Sequence, residues 1–369
     1  MDSTNFLEVK LIMSQTIRLY VGTYSQEIYV YRMDLANGQL VAESQIDGVQ
    51  SPSFLAIHPN NQFLYSVNEI GNYEGEETGS ISAFSIERQS GQLDFLNRQP
   101  SHGTAPCHLS IDATGKYVLV ANYGSGTVAA FPIDTNGYLK TASSVIQHEG
   151  SSINEQRQTS PHAHAIMVAP NNHHAFSPDL GLDQVIIYQL NNETGQLTPN
   201  EPPFVSVSPG QGPRHFDFHP SQRTAYVINE IGSTVTVFDY QPEEGHLESV
   251  QTISTLPKEF SGNNSCADIH VSTNGQFVYG SNRGHDSIVI YAVDPANGQL
   301  THVGHESTRG KSPRNFGLDP TGNYLLVANH GSDDIYVFRV DKQSGLLDYT
   351  GYSAQVPTPV CLKMISIDD

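Results

Sequence analysis

A short glycine–leucine tag recurs seven times along this 369-residue chain. The tag, Gly-Gln-Leu or a near copy, is repeated at intervals of roughly 46–58 residues and ends at Leu40, Leu93, Leu139, Leu197, Leu247, Leu300 and Leu347. Such periods are typical of β-propellers, in which each repeat forms one four-stranded blade. The repeat therefore favours a single ring-shaped domain over the two or three domains that length alone suggests.

Each complete repeat contains three short runs rich in β-branched and aromatic residues, and a weaker fourth run follows the tag. His-Pro or Asp-Pro turns separate the first two runs, as in GPRHFDFHPSQRTAYVINEIGSTVTVFDY. We interpret these runs as four antiparallel strands, A to D in chain order. No segment with a helical period competes with this interpretation.

The first and last repeats are incomplete. The N-terminal IRLYVGTYSQEIYVYRMDLANGQL lacks strand A, and the C-terminal PTPVCLKMI supplies only a strand A. Pairing of Val360–Ile365 with Arg18–Gly22 would combine them into one blade and remove the exposed sheet edges. The prediction is an all-β, seven-bladed propeller over residues 15–369, with residues 1–14 as a loose N-terminal tail. An open β-solenoid and a two-domain sandwich are the alternatives.

Composition limits the partners and the compartment. The net charge of −20 argues against nucleic acids and anionic membranes as partners. The three cysteines form no Cys-x-x-Cys pair, which favours a reducing compartment. No apolar stretch is long enough to span a membrane, and the N-terminus does not resemble a signal peptide. We therefore expect a cytoplasmic protein.

Strand order predicts one functional face. Because A and B are antiparallel neighbours, the start of A and the end of B lie on the same face, and A is innermost in a propeller. The position after the recurrent proline of A is occupied, repeat by repeat, by Ser53, Cys107, His164, Arg214, Ala267, Arg314 and Val360. The position after the recurrent asparagine of B is occupied, in the same order of repeats, by Glu69, Tyr123, Leu180, Glu230, Arg283, His330 and Tyr24.

The recurrent asparagine itself is best explained as structural, because its amide can satisfy backbone groups of the adjoining turn. The residue after it varies from acid to base to aromatic, as a single asymmetric pocket requires. Three of the eleven arginines, Arg214, Arg283 and Arg314, occupy these two sets of positions. We therefore expect an anionic small-molecule ligand.

Three further features concern the same face. His162 and His164 share strand parity, but no nearby carboxylate has a ligand spacing, so we expect no metal. His215 belongs to a neighbouring set of positions that should face the adjoining blade. Insertions at GNYEGEETGS and SSVIQHEGSSINEQRQTS lengthen loops on the pocket face, where binding residues are common.

The sequences LYVGTY, GPRHFDFHP, YVINE, HAHAI and GSNRG resemble the bacterial seven-bladed lactonase family, over nearly the whole chain. That family includes propeller-type 6-phosphogluconolactonases and the related carboxy-cis,cis-muconate cyclase. The resemblance implies His164, Arg214, Glu230 and Arg283 as the catalytic positions, cytosolic carbohydrate metabolism including the pentose phosphate pathway, and no required cofactor. Substrate-binding residues are then expected among the other pocket positions: Arg314, His330, Tyr123, Glu69, His162 and His215.

Hydrolysis of a sugar lactone, most specifically of 6-phosphogluconolactone to 6-phosphogluconate, is the function expected on this basis. No Gly-x-Ser-x-Gly sequence is present, so an oriented water takes the place of a serine nucleophile. His164 or Glu230 is the candidate base, and one arginine would stabilise the oxyanion. Alternatives are a lactone-forming cycloisomerase, a non-enzymatic binding propeller, and a Ca²⁺-dependent lactonase that uses carboxylates as ligands.

The motif Asn-Glu-Ile-Gly occurs twice, at Asn68–Gly71 and Asn229–Gly232. Glu230 has Arg214 in its own repeat and Arg283 in the next, so two cations should keep it ionised. Glu69 has no arginine at the equivalent positions. We therefore predict a catalytic or arginine-orienting role for Glu230 and a role at the rim of the pocket for Glu69.

Overall fold

The structure is a computed structural model and describes residues 16–367. Within this range, 28 strands form seven antiparallel sheets of four strands each. The sheets are the blades of a seven-bladed β-propeller, as predicted, and we number them from the blade that contains the N-terminal strands. The predicted tail at residues 1–14 lies outside the described residues.

The strands are given below by their position within the blade, and each set runs from blade 1 to blade 7. The innermost strands are β28 (Pro359–Ile367), β4 (Leu55–Ile57), β8 (Pro106–Ile111), β12 (Met167–Val168), β16 (Pro213–Phe218), β20 (Ser265–Val271) and β24 (Pro313–Leu318). The second strands are β1 (Thr16–Thr23), β5 (Phe63–Asn68), β9 (Tyr117–Asn122), β13 (His174–Asp179), β17 (Thr224–Asn229), β21 (Phe277–Arg283) and β25 (Tyr324–Asn329).

The two outer positions complete each blade in the same order. The third strands are β2 (Glu27–Asp34), β6 (Ser80–Ile86), β10 (Thr127–Pro132), β14 (Gln184–Leu190), β18 (Thr234–Gln241), β22 (Ser287–Val293) and β26 (Asp334–Val340). The outermost strands are β3 (Leu40–Asp47), β7 (Leu93–Pro100), β11 (Ser144–Gln147), β15 (Leu197–Ser206), β19 (His246–Ser254), β23 (Leu300–Ser307) and β27 (Leu347–Gln355).

Blade 1 joins the two ends of the chain. Strand β28 pairs antiparallel with β1, with Arg18 opposite Ile365 and Gly22 opposite Cys361. This is the pairing that the incomplete repeats predicted. Leu362 of β28 is 3% exposed and packs in a hydrophobic cluster that contains residues of blades 1 and 7. The closure therefore combines main-chain hydrogen bonds with a buried contact between blades.

The glycine of the recurring tag has a packing function. All seven tag glycines have φ between +64° and +88°, a region that glycine occupies without steric cost. A Cβ at any of them would come closer than 3.0 Å to a second-strand side chain of the preceding blade. These neighbours, from the tag of blade 1 to that of blade 7, are Tyr324, Arg18, Phe63, Tyr117, His174, Thr224 and Phe277. The tag thus lets consecutive blades approach closely.

The recurrent asparagine at the end of the second strand has the structural role that was predicted. The five copies, Asn68, Asn122, Asn229, Asn282 and Asn329, are fully buried. Four of them donate a side-chain hydrogen bond to a carbonyl in the loop that leads into their own blade, for example Asn122 Nδ2 to Ser101 O at 3.0 Å. Asn229 donates instead to threonine hydroxyls of β18. These bonds hold the loops on the pocket face.

Within residues 16–367 we find no helical segment with the length and hydropathy that spanning a bilayer requires. All three cysteines are unpaired and buried.

Closure of blade 1 can be tested by shortening one side chain of β28. Leu362→Ala should lower the free energy of unfolding by about 2–5 kcal/mol, because it removes a buried side chain at the contact between blades. Ser366→Ala, at an exposed position of the same strand, should change it by less than about 0.5 kcal/mol. Denaturant unfolding measures both, and equal small losses would contradict a closure role for β28.

Candidate active site

A polar pocket of about 200 Å³ lies around the propeller axis, on the face where the innermost strands begin and the second strands end. Its walls are formed by Glu69, Cys107, Tyr123, Arg157, His164, Glu230 and Arg314. Six of the seven occupy the two sets of positions aligned from the repeats, and one of the six, Cys107, was aligned there without a functional role. Its volume lies below the range of about 300–1,000 Å³ that is usual for drug-sized ligands, so it suits a small polar ligand.

Glu230 is the centre of a cluster of positive charges. It follows β17, and its Oε2 lies 3.0 Å from Arg214 Nε and 2.9 Å from Arg283 Nη2. Its Oε1 lies 2.7 Å from Arg157 Nη2, and His164 Nε2 is 3.8 Å from Oε2. The structure thus brings together all four residues predicted as catalytic and adds a third arginine.

These contacts determine the ionisation of Glu230. Burial alone would raise its pKa, but the charges of Arg283 and Arg214 and the hydrogen bond from Arg157 lower that pKa to about 2. A carboxylate held by three guanidinium groups is a weak proton acceptor. The geometry therefore suits Glu230 for fixing the arginines and argues against it as the general base.

The arginines are also held by the main chain. Arg214 is the second residue of β16, and it donates from Nη1 to the carbonyl of Ala267 in the next blade. Arg283, the last residue of β21, donates from Nη2 to the carbonyl of Cys266 at 2.7 Å. Arg214 is thus held through two of its nitrogens and Arg283 through Nη2, which contacts both Glu230 and Cys266 O, and these contacts orient the two guanidinium groups.

His164 lies beside Glu230 and is buried. Burial, followed by the positive charge of Arg214, lowers the pKa of His164 well below its usual value, so the imidazole is neutral near pH 7. Cys107 Sγ is 3.7 Å from His164 Nδ1 and 3.3 Å from His164 O. Burial raises the pKa of the Cys107 thiol, which is therefore not poised as a nucleophile. The neutral imidazole can accept a proton, and the same lowering of its pKa makes it a weaker base than an ordinary histidine.

Arg157 is the functional candidate that sequence reasoning missed. It lies in the long connection between β11 and β12, outside the strand positions aligned from the repeats. Its Nη2 also donates to Tyr123 Oη at 3.2 Å, and its side chain is 41% exposed. The insertion before His164 was a signal for this loop, but nothing in its sequence distinguished Arg157 from a solvent-exposed arginine.

Tyr123 and His162 form a stacked pair. Their ring centroids are 4.5 Å apart with an interplanar angle of 16°, and His162 Nδ1 lies 2.9 Å from the carbonyl of Tyr123. Tyr123 lines the pocket, whereas His162 packs behind it. His162 was predicted to bind substrate, which stays a prediction, and its stacking supports the Tyr123 ring.

His215 faces the adjoining blade, as its strand position suggested. Its Nδ1 lies 2.6 Å from Asp268 Oδ1, and Asn315 donates to the other oxygen of the same carboxylate. It also lines a small cavity of about 10 Å³ below the pocket, together with Arg214 and Arg314. His215 thus lies beneath the proposed substrate-binding surface and connects it to three consecutive blades.

The opposite wall of the pocket has a different chemistry. Glu69 accepts hydrogen bonds from Ser53 Oγ at 2.5 Å and from Tyr24 Oη at 3.4 Å. Tyr24 also contacts Arg314, whose Cζ is 5.1 Å from the ring centroid, and His330, at 5.4 Å between centroids. The prediction placed Glu69 at the rim, but its carboxylate lies in the wall itself.

Comparison with known proteins gives one consistent result. Residues 18–364 match the model of the family described as Lactonase, 7-bladed beta-propeller. A 6-phosphogluconolactonase of Bacillus subtilis is 37% identical over 350 residues, which cover 94% of this chain and 97% of that protein. A 6-phosphogluconolactonase of Formosa agariphila is 35% identical over 311 residues, which cover 82% of this chain and 86% of that protein. The structure of a periplasmic gluconolactonase from Pseudomonas aeruginosa superposes with a TM-score of 0.90 at 35% identity, covering 96% of this chain and 100% of that one.

The protonation state of His164 can be measured directly. Because burial and Arg214 lower its pKa, the imidazole should stay neutral when the pH falls from 7.5 to 5.5. Nitrogen-15 NMR of labelled protein, with the His164→Asn variant to assign the signal, reports this state. A titration with a midpoint near 6.5, the usual histidine value, would contradict the proposed environment.

Proposed function

The chain belongs to the Lactonase family of seven-bladed propellers, and we propose from this premise that it hydrolyses a sugar lactone, with 6-phosphogluconolactone as the substrate. One observation carries the proposal: a neutral, buried His164 beside a carboxylate that gathers three arginines, in a pocket at the propeller axis. The names of the relatives from Bacillus subtilis and Formosa agariphila support the same activity.

Hydrolysis needs a water, a proton acceptor and a positive charge near the carbonyl oxygen. In our proposal, His164 accepts a proton as the water oxygen bonds to the lactone carbonyl carbon. Arg214 or Arg283 stabilises the negative charge that develops on the carbonyl oxygen, since both guanidinium groups are oriented by Glu230 and by a backbone carbonyl. When the ring C–O bond breaks, protonated His164 returns its proton to the departing alkoxide.

Charge supports an anionic substrate. Four arginines and two glutamates surround the pocket, so positive charges exceed negative charges there, in a chain with a net charge of −20. A local positive field attracts anions to the site even when the whole protein repels them. A neutral lactone would leave this excess uncompensated, whereas a phosphorylated lactone neutralises it.

The alternatives differ in what they require. A non-enzymatic binding propeller would carry its charges on an exposed rim, whereas here they converge on the axis. A Ca²⁺ site would use the oxygens of Glu69, Asp179, Glu230 and the recurrent asparagines, but hydroxyl groups bind Glu69, arginines bind Glu230 and backbone N–H groups bind Asp179. A cycloisomerase would use the same residues, and product analysis with lactone and muconate substrates distinguishes the two reactions.

The cytoplasmic location and the role in the pentose phosphate pathway are parts of this proposal. The three unpaired cysteines support a reducing compartment. A similar protein from Pseudomonas aeruginosa is described as periplasmic, so fractionation of cells that express the natural gene is the appropriate test.

The role of Glu230 can be tested against Glu69, which follows asparagine in the same four-residue motif. Glu230→Gln should lower kcat/KM for 6-phosphogluconolactone at least ~100-fold, because the amide no longer holds the arginines in position by charge. Glu69→Gln should lower it less than ~10-fold, since Glu69 forms hydrogen bonds with hydroxyl groups and no ion pair within residues 16–367. Equal losses in steady-state assays of the two folded variants would overturn this division of roles.

Independence from metal is a separate prediction. Because arginines and backbone groups already bind the oxygens of Glu230 and Asp179, EDTA should leave kcat/KM unchanged within ~2-fold. The same preparation with and without excess CaCl₂ is the control. Loss of activity in EDTA that Ca²⁺ restores would support the calcium-dependent alternative.

A further inference from the structure

Arg314 differs from every other arginine of the pocket. It is the second residue of β24, the position that Arg214 occupies in β16. Arg214, Arg283 and Arg157 are each bound by Glu230 and by a second oxygen. Arg314 makes no hydrogen bond and no ion pair with any residue in the described range 16–367, although its guanidinium lines the pocket and the cavity below it.

The side chain of Arg314 is nevertheless held in place. Its guanidinium lies over the ring of Tyr24, and such cation–π contacts are worth roughly as much as a weak hydrogen bond. His330 contacts the Tyr24 ring edge-on. The backbone N–H of Tyr24 donates to Thr358 O at 3.2 Å. Tyr24 thus orients the cation without neutralising it.

The nearest carboxylate of this wall is engaged elsewhere. Both oxygens of Glu69 accept hydrogen bonds from hydroxyl groups, those of Ser53 and Tyr24, and no ion pair joins Glu69 to Arg314. The unpaired charge of Arg314 therefore faces the pocket. A partly buried guanidinium with unused N–H donors is costly unless a ligand supplies acceptors, and its planar fork fits two oxygens of a phosphate.

The two walls belong to different blades. His164, Glu230 and Arg283 come from blades 4, 5 and 6, whereas Arg314 and Tyr24 come from blades 7 and 1. The reacting lactone ring and an anionic group at the far end of the same substrate can therefore be bound at the same time by side chains of different blades.

We infer that Tyr24 and Arg314 form a specificity site, which binds the phosphate at the non-reacting end of a phosphorylated lactone. Arg314 pairs with the phosphate oxygens, and Tyr24 is the positioning residue that holds the guanidinium toward them. The inference rests on the proposed lactone hydrolysis and adds the selection of phosphorylated over unphosphorylated substrates.

The test compares 6-phosphogluconolactone with gluconolactone, which has the same ring without the phosphate. Arg314→Gln should raise KM for the phosphorylated lactone ~10–100-fold, as expected for a lost charged hydrogen-bonding group, with a smaller change in kcat. For gluconolactone, kcat/KM should fall less than ~3-fold. Arg314→Lys should lie between Gln and wild type, because lysine keeps the charge but not the fork.

Substitutions of Tyr24 separate its ring from its hydroxyl group. Tyr24→Leu should raise KM for the phosphorylated lactone ~3–10-fold, since the platform under Arg314 is lost. Tyr24→Phe keeps the ring and should cause a smaller increase than Tyr24→Leu. Arg309→Gln is the matched control, because Arg309 lies over Tyr349, with Cζ 4.4 Å from the ring centroid, outside the pocket. Thermal unfolding verifies that each variant is folded.

A binding measurement makes the inference independent of turnover. By calorimetry, wild type should bind 6-phosphogluconate more tightly than gluconate, and Arg314→Gln should abolish most of that difference. Equal effects of Arg314→Gln on both lactones, or an unchanged preference for the phosphorylated acid, would overturn the inference. Wild type that hydrolyses neither lactone would instead overturn the proposed function, while the binding comparison would still decide the phosphate site.

Discussion

The antiparallel pairing of β1 with β28 is the contact on which the rest of the molecule depends. A propeller of seven repeats closes only if the last sheet meets the first, and here one sheet contains both ends of the chain. Closure places blade 7 and blade 2 on either side of blade 1, so that Arg314, Tyr24 and Glu69 share one wall. Without closure, that wall would not exist.

The repeat also explains how a nearly symmetric frame carries an asymmetric site. Arg214 and Arg314 occupy equivalent positions, as do Glu69 and Glu230. Their partners nevertheless differ, because the neighbouring blades present different side chains: arginines around Glu230, but the hydroxyl groups of Ser53 and Tyr24 around Glu69. The backbone is therefore shared among blades, while the chemistry of each position is set by its neighbours.

The pKa values of His164 and Glu230 depend on their burial together with these neighbouring charges. Burial disfavours the charged form of an ionisable group, and neighbouring charges either add to this or oppose it. For His164 burial and Arg214 act in the same direction and keep the imidazole neutral. For Glu230 the arginines outweigh burial and keep the carboxylate ionised. Both groups are therefore unprotonated near neutral pH, the imidazole without charge and the carboxylate with a negative charge.

The sequence by itself determined the number of blades, the closure and the face that carries His164, Arg214, Glu230 and Arg283, because strand alternation and short turns are local and periodic. It also identified the asparagines as structural. Only the tertiary structure placed Arg157 on Glu230, since a long side chain on a non-repeating loop has no sequence period that predicts its direction. Only the tertiary structure left Arg314 without an ion pair to any acid among residues 16–367 and placed Glu69 in the wall, because pairing between blades depends on distances that no repeat encodes.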